Sequence, residues 1–341
     1  MANNQGVDPR ISDLDLRPRE ATKDTALLGK TRRLNDLTCL EIVFVIFSVL
    51  GLIACFVLTV IKVIGYTGDD FTFAILIIVN TAVCFYYIFD GIFRERPYEL
   101  AIFVIATTIV VVYVIVNFAD TEGWHDTVKL IRFIFAIVFA PFLVIVGCII
   151  TRDYNESGNL IFRTVGASAE LQSCCKIMFF TSSIIKLDFQ IAMSMIVLVL
   201  RNGRIIGQLE TITLAVGIPV TVLWLILGFW CMRFENKIAT WIFWLTGWME
   251  PAYVIYKIVQ EVLPPPEQSP TQTPHESQAL TAVTYTCAAI ALIIRIAVVI
   301  LMILVYRNYG KGLKEKIFKE GGSIKREETV TYSSFKAKGY D

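Results

Sequence analysis

Polar and charged residues fill positions 1–38, after which long apolar runs alternate with short polar breaks as far as position 306. Each run is close to the ~20 residues that a helix needs to span the hydrocarbon layer. The pattern predicts eight helices: Cys39–Ile64, Phe71–Phe93, Tyr98–Phe118, Thr127–Ile150, Cys174–Leu200, Gln208–Met232, Ile238–Leu263 and Ala279–Tyr306. The expected fold class is all-α, a polytopic membrane helical bundle. A cytosolic amino-terminal tail (1–38) precedes a transmembrane domain (39–306), and a basic, polar cytosolic tail (307–341) follows it. The fifth run differs from the rest, because Lys186 and Asp188 interrupt it and no Gly or Pro after Gly166 separates it from the polar stretch before it. It is expected to be one long helix whose first turns stand in the cytosol.

Composition narrows the class. With 55% hydrophobic residues in 341 and a mean hydropathy of +0.63, the chain is too apolar for a soluble protein of its size. A formal charge of +1 carries no overall basic field, which argues against nucleic acid as a partner. The first 38 residues lack the apolar core of a signal peptide, so the first crossing is expected to target the chain to the membrane.

Orientation follows the positive charges. Arg10, Arg17, Arg19, Lys23, Lys30, Arg32 and Arg33 precede the first crossing, and Arg307, Lys311, Lys314, Lys316 and Lys319 follow the last. Both termini are therefore expected in the cytosol, in a plasma membrane or endomembrane protein. The lipid bilayer is the first expected partner, with anionic lipid contact by the carboxyl-terminal tail. "GYTGDD", "FADTEGWHD" and the Pro-rich "LPPPEQSPTQTPHESQ" fall outside, and "RERP" and "TRDYNESGNLIFR" inside. "RNGR" (201–204) dissents, with two arginines on the outer side. The sequon at Asn155 falls inside and is expected to be unglycosylated.

None of the eight cysteines falls in an expected external loop, so no disulfide framework is expected. Cys174 and Cys175 are candidate S-acylation sites, although small apolar residues at a helix boundary account for them more simply. His125 and His275 are the two histidines, and no metal-ligand spacing, nucleophile elbow or Gly-rich phosphate loop occurs. The expectation is no enzyme, no metal and no cofactor. No internal repeat stands out either, which weakens an analogy with transporters built from repeats.

What remains is a set of ionisable residues inside the crossings, each costing about 2.5–3.5 kcal/mol to insert near the bilayer centre. At about 1.5 Å per residue, Glu250 lies roughly 18 Å and Arg295 roughly 17 Å from the cytosolic ends of consecutive helices. They form the best candidate ion pair. Lys186 and Asp188, two positions apart, point to nearly opposite sides of one helix and cannot simply neutralise each other. Lys186 is expected to snorkel to the headgroups. Asp188 is too short to follow and needs Arg295, Lys186 of another copy, or water. Asp90 is shallow enough to be interfacial.

Trp241, Trp244 and Trp248 precede Glu250 and Pro251, which suggests an aromatic wall beside a cavity and a carbonyl freed by the proline; interfacial anchoring explains Trp241 and Trp244 as well. "GIPV" (217–220) suggests a kink in the sixth helix.

The runs "RERPYELAIF" (94–103), "NLIFRTVGASAELQ" (159–172) and "KLDFQ" (186–190) resemble an uncharacterised family of eukaryotic multi-pass membrane proteins known only as a domain of unknown function. The resemblance implies a membrane location and a shared core containing Arg163, Lys186, Asp188 and Gln190. It implies no activity. The buried charges suggest transport or conduction of a small solute or ion along a polar path lined by Glu250, Arg295 and Asp188. The alternative is a non-transporting sensor or scaffold that acts through its cytosolic tails.

Overall fold

The computed structural model describes residues 25–26, 29–30, 32, 36–63, 69–120, 127–198, 208–262, 278–314 and 317. A two-residue antiparallel ladder, β1 (Thr25–Ala26) with β2 (Gly29–Lys30), precedes ten helices. They are α1 (Cys39–Val63), α2 (Asp69–Phe93), α3 (Pro97–Asp120), α4 (Thr127–Ser157), α5 (Asn159–Val165), α6 (Ala169–Leu198), α7 (Gln208–Phe234), α8 (Lys237–Gly247), α9 (Met249–Val262) and α10 (Gln278–Arg307). Among the described residues six helices, α1, α2, α4, α6, α7 and α10, are long and apolar enough to cross a membrane. The protein is a multi-pass helical membrane protein.

Two of the eight expected crossings are not among those six. The third corresponds to α3, a single helix of 24 residues. The seventh is two helices, α8 and α9, divided at Trp248. Pro251 supplies the reason: it has no N–H to offer the carbonyl of Gly247, four residues back, and it sits in the first turn of α9, where a missing donor costs least. The fourth crossing runs on to Ser157, and the fifth, expected to reach back beyond Cys174 as one long helix, does so as far as Ala169. Gly166 takes φ +74, ends α5 and receives the side-chain amide of Gln172 on its carbonyl at 2.7 Å, which separates α5 from α6. Helix α7 continues through Pro219 without a break. The "RNGR" loop, both histidines and the Pro-rich connection lie outside the described residues.

Helix α6 is the centre of the bundle, packed against α2, α3, α5, α7 and α10. Its apolar window is 72% buried, against at most 44% in the other five spans, yet it is the least hydropathic of the six. That inversion is the membrane arrangement: lipid accepts apolar faces, so the polar helix goes inside. One apolar cluster joins α6 to α7, α8 and α10 around Ile185, Cys231, Phe243, Val298 and Met302. A second joins α1 to α4 around Phe44, Tyr87, Phe103 and Leu143. Between apolar helices in lipid, close packing replaces the hydrophobic drive. Gly147 of α4 shows how close: a Cβ there would stand 2.6 Å from Cγ2 of Val104 on α3.

Candidate functional site

Two groups of buried charge flank α6. The inner group begins at the α2–α3 turn. Helix α2 ends at Phe93, Glu95 adopts φ 52, and Pro97 opens α3 at its first position, where its fixed φ suits a helix start. The turn folds Arg96 back so that its N–H reaches the carbonyl of Gly91 at 2.8 Å. Its guanidinium then lies between Asp90 (3.3 Å) and Glu99 (3.1 Å). From α6, Lys186 donates to the same two carboxylates, at 2.7 Å to Asp90 and 2.8 Å to Glu99, and Arg94 holds the other Asp90 oxygen at 2.9 Å. Ring faces line the group, with Lys186 5.0 Å from the centroid of Tyr86 and Arg96 5.1 Å from that of Phe179.

The network continues outward to the amino-terminal segment. Arg32 binds Glu41 at 3.0 Å and Glu95 at 3.2 Å, and its own N–H donates to the carbonyl of Phe93 at 2.8 Å. Glu41 also closes a capping box with Thr38, accepting from its N–H at 2.7 Å while the Thr38 hydroxyl accepts from Glu41 N–H at 3.3 Å. Tyr154 of α4 donates to Glu41 as well. Burial by itself would lower the pKa of Arg32, but Glu95 and Glu41 outweigh it and raise it. Four cations (Arg32, Arg94, Arg96, Lys186) face four anions (Glu41, Asp90, Glu95, Glu99), so the inner group is charge-balanced.

Lys186 therefore does not snorkel, and Asp90 is not an interfacial bystander: both are buried, tied to each other and to Glu99. The snorkelling expectation failed because counting depth along one helix says nothing of what the neighbouring helices offer. Glu99, Arg96, Glu41 and Arg32 were missed. The available signal was the Pro-anchored "RERPYE", which sets Arg96 and Glu99 three apart at a helix start.

Two residues further along α6 and on the other side, Asp188 meets Arg295 of α10 at 3.1 Å. The same Nη2 of Arg295 contacts Glu250, in the first turn of α9. The guanidinium lies over Trp224 of α7, 3.9 Å from the ring centroid. One cation thus serves two carboxylates, and the triad carries a surplus negative charge. Asp188 is 2% exposed and Arg295 6%. The Glu250 side chain is the most open of the three, at 19%. Among the described residues, Nε of Arg295 and Nε1 of Trp224 are buried donors without a hydrogen-bond partner.

Further along α6, beyond both groups, the helix keeps a polar seam with α2. Gln190 donates to Asn80 at 2.7 Å, and Asn80 donates to the Ser194 hydroxyl at 3.1 Å. Lys186, Gln190 and Ser194, spaced by four, form the α2-facing stripe, and Asp188 looks the other way.

Other expectations fare differently. Trp241 and Trp248 are 63% and 69% exposed, and Trp244 packs on Tyr306 at 5.5 Å, so the three do not wall a cavity. The tryptophan beside the triad is Trp224, legible only as a lone aromatic in "VLWLIL". Cys174 and Cys175 are buried in the apolar core, where a thiol is out of reach of an acylating enzyme. A small cleft at the inner ends of α3, α4 and α6 is lined by Arg96, Tyr98, Tyr154, Lys176 and Phe179, and none of the triad residues borders it.

A family model described as a domain of unknown function, DUF7789, matches residues 28–152 and 165–304. No curated protein and no solved structure matches the chain.

Proposed function

The chain belongs to the DUF7789 family of unknown function, and from that premise we propose that it moves a small ion or solute across its membrane through the polar path beside α6. The observation that carries this reading is the triad. Asp188, Arg295 and Glu250 bring unequal charge together inside the bundle, at the break between α8 and α9. Discontinuous crossings with polar side chains at the break are a recurrent way to build a mid-membrane site. In this reading α3 and the α8–α9 pair also cross, which makes eight crossings with both termini in the cytosol. The inner network closes the cytosolic end of the path.

A second reading, a non-transporting sensor or scaffold, has a specific observation in its favour: the segments before α1 and after α10 are both docked on the bundle. Arg32 is held by Glu41 and Glu95. After α10, Glu235 accepts from the N–H groups of Gly310 (2.8 Å) and Lys314 (3.2 Å).

The two separate in one experiment. The purified protein is reconstituted in liposomes, and flux of small ions is compared between wild type and Glu250→Gln. Transport predicts flux that the substitution abolishes while folding and membrane level stay near normal. No flux in wild type, or loss of the folded protein in the variant, supports the scaffold.

A further inference from the structure

We infer that Asp188, Arg295 and Glu250 form a proton-binding site, in which one proton is held on the two carboxylates about a single guanidinium. The inference deepens the transport reading and rests on it for the site's purpose, but the site's occupancy is measurable by itself.

Charge and geometry lead to it together. Arg295 neutralises one carboxylate, and burial in a medium of low dielectric leaves the second uncompensated. The elements packed around the triad bring no further cation into contact with it among the described residues. On α6 the nearest charge is Lys186, which is turned to Asp90 and Glu99. Helix α7 contributes the indole of Trp224. Helix α10 adds Cys287 two turns from Arg295, and α9 carries Tyr253 one turn, and Lys257 two turns, beyond Glu250. Helix α8 has its one charge, Lys237, at the opposite end.

The chemistry of the lining selects the proton over a metal cation. Hard metal ions surround themselves with about six oxygen ligands. The two carboxylates supply four oxygens, and one from each already faces Arg295. The remaining lining is donor rather than acceptor. Among the described residues, Nε of Arg295 is a buried N–H without a partner, and so is Nε1 of Trp224, which lies 4.0 Å from where a Cβ on Gly247 would stand, at the last residue of α8. N–H groups repel a bare cation. A proton needs only a carboxylate oxygen: an O–H bond forms there as one O–H bond of a hydronium ion breaks and leaves water, and release reverses both changes. The more open Glu250 is the carboxylate placed to exchange it, and Asp188 the one placed to share it.

The test is infrared spectroscopy of the full-length protein in lipid nanodiscs at neutral pH. The expected result is the carbonyl stretch of a protonated carboxylic acid, shifted by deuterium exchange, amounting to one group per chain. It should vanish in Glu250→Gln and in Asp188→Asn, because either variant leaves one carboxylate for one guanidinium. Carbon-13 labelling of the aspartate or glutamate carboxyls in wild type assigns the band without relying on a variant that folds. Absence of the band in wild type overturns the inference, as does a band that survives both substitutions or that neither label shifts. Liposome flux is read separately: the band without flux leaves the proton site standing and removes transport, and flux without the band does the reverse.

Discussion

The inner network and the triad use the same side chains to opposite ends. In the inner network four cations meet four anions, and Lys186 and Arg96 each bridge two carboxylates. In the triad one cation meets two carboxylates at a helix break, and two buried N–H groups have no acceptor among the described residues. A balanced group is costly to disturb, because removing one member strands its partners in low dielectric. A group with surplus charge has a second protonation state within reach. Burial of charge does not by itself mark function in a membrane bundle; the charge count within each group is what sets these two apart.

The comparison breaks most sharply at Lys186. Lys186→Ala leaves Asp90 and Glu99 facing each other with less compensation, and the expected cost is about 3–5 kcal/mol, the usual penalty for orphaning a buried charge. Thermal unfolding in detergent, or the monodisperse yield, should show a large loss. A near-normal unfolding temperature would place the inner network among the weak, solvated charge clusters. Glu250→Gln is the counterpart: it removes surplus charge and should leave stability unchanged or slightly raised, while altering flux and the infrared band.

Smaller effects test the packing that holds the groups in place. Gly147→Ala puts a methyl group 2.6 Å from Val104 at the α3–α4 contact and should cost about 1–3 kcal/mol as an overpacked site. Just past the end of α10, Tyr309 donates to the carbonyl of Cys231 at 3.0 Å and pairs with the hydroxyl of Thr240 at 3.0 Å. Tyr309→Phe should cost about 1 kcal/mol, read from the same unfolding curves. Burial pushes the Tyr309 phenol up to about 12. A raised folded-state pKa means that its contribution is complete below pH ~10, the ordinary tyrosine value, and is lost as pH rises toward 12. The wild type should therefore lose part of its advantage over Tyr309→Phe only in that alkaline window.

Much of this was legible along the chain. The helical membrane class follows from run length alone, and the pairing of Glu250 with Arg295 follows from their similar distances along consecutive crossings, since both are one-dimensional quantities. The opposite facing of Lys186 and Asp188 also follows from helical spacing. The division of the seventh crossing was half legible: Pro251 announced a disturbance, but whether a helix bends or breaks there depends on its packing. The inner network was not legible, because Asp90, Arg96 and Glu99 look like ordinary interfacial charges beside a short turn. Only the folding of that turn against α6 makes them a buried set.

The sequence by itself determined that the chain must enter a membrane, where its helices lie, and that ionisable groups would be carried inside. It did so because hydrophobic run length and helical period are properties of neighbouring residues. Tertiary structure alone decided which charges meet: that Lys186 turns to α2 and α3 while Asp188 turns to α10, and that one group balances while the other does not. Those pairings join residues 87 to 107 positions apart, and their energies depend on helix placement and burial, which no local stretch of sequence encodes.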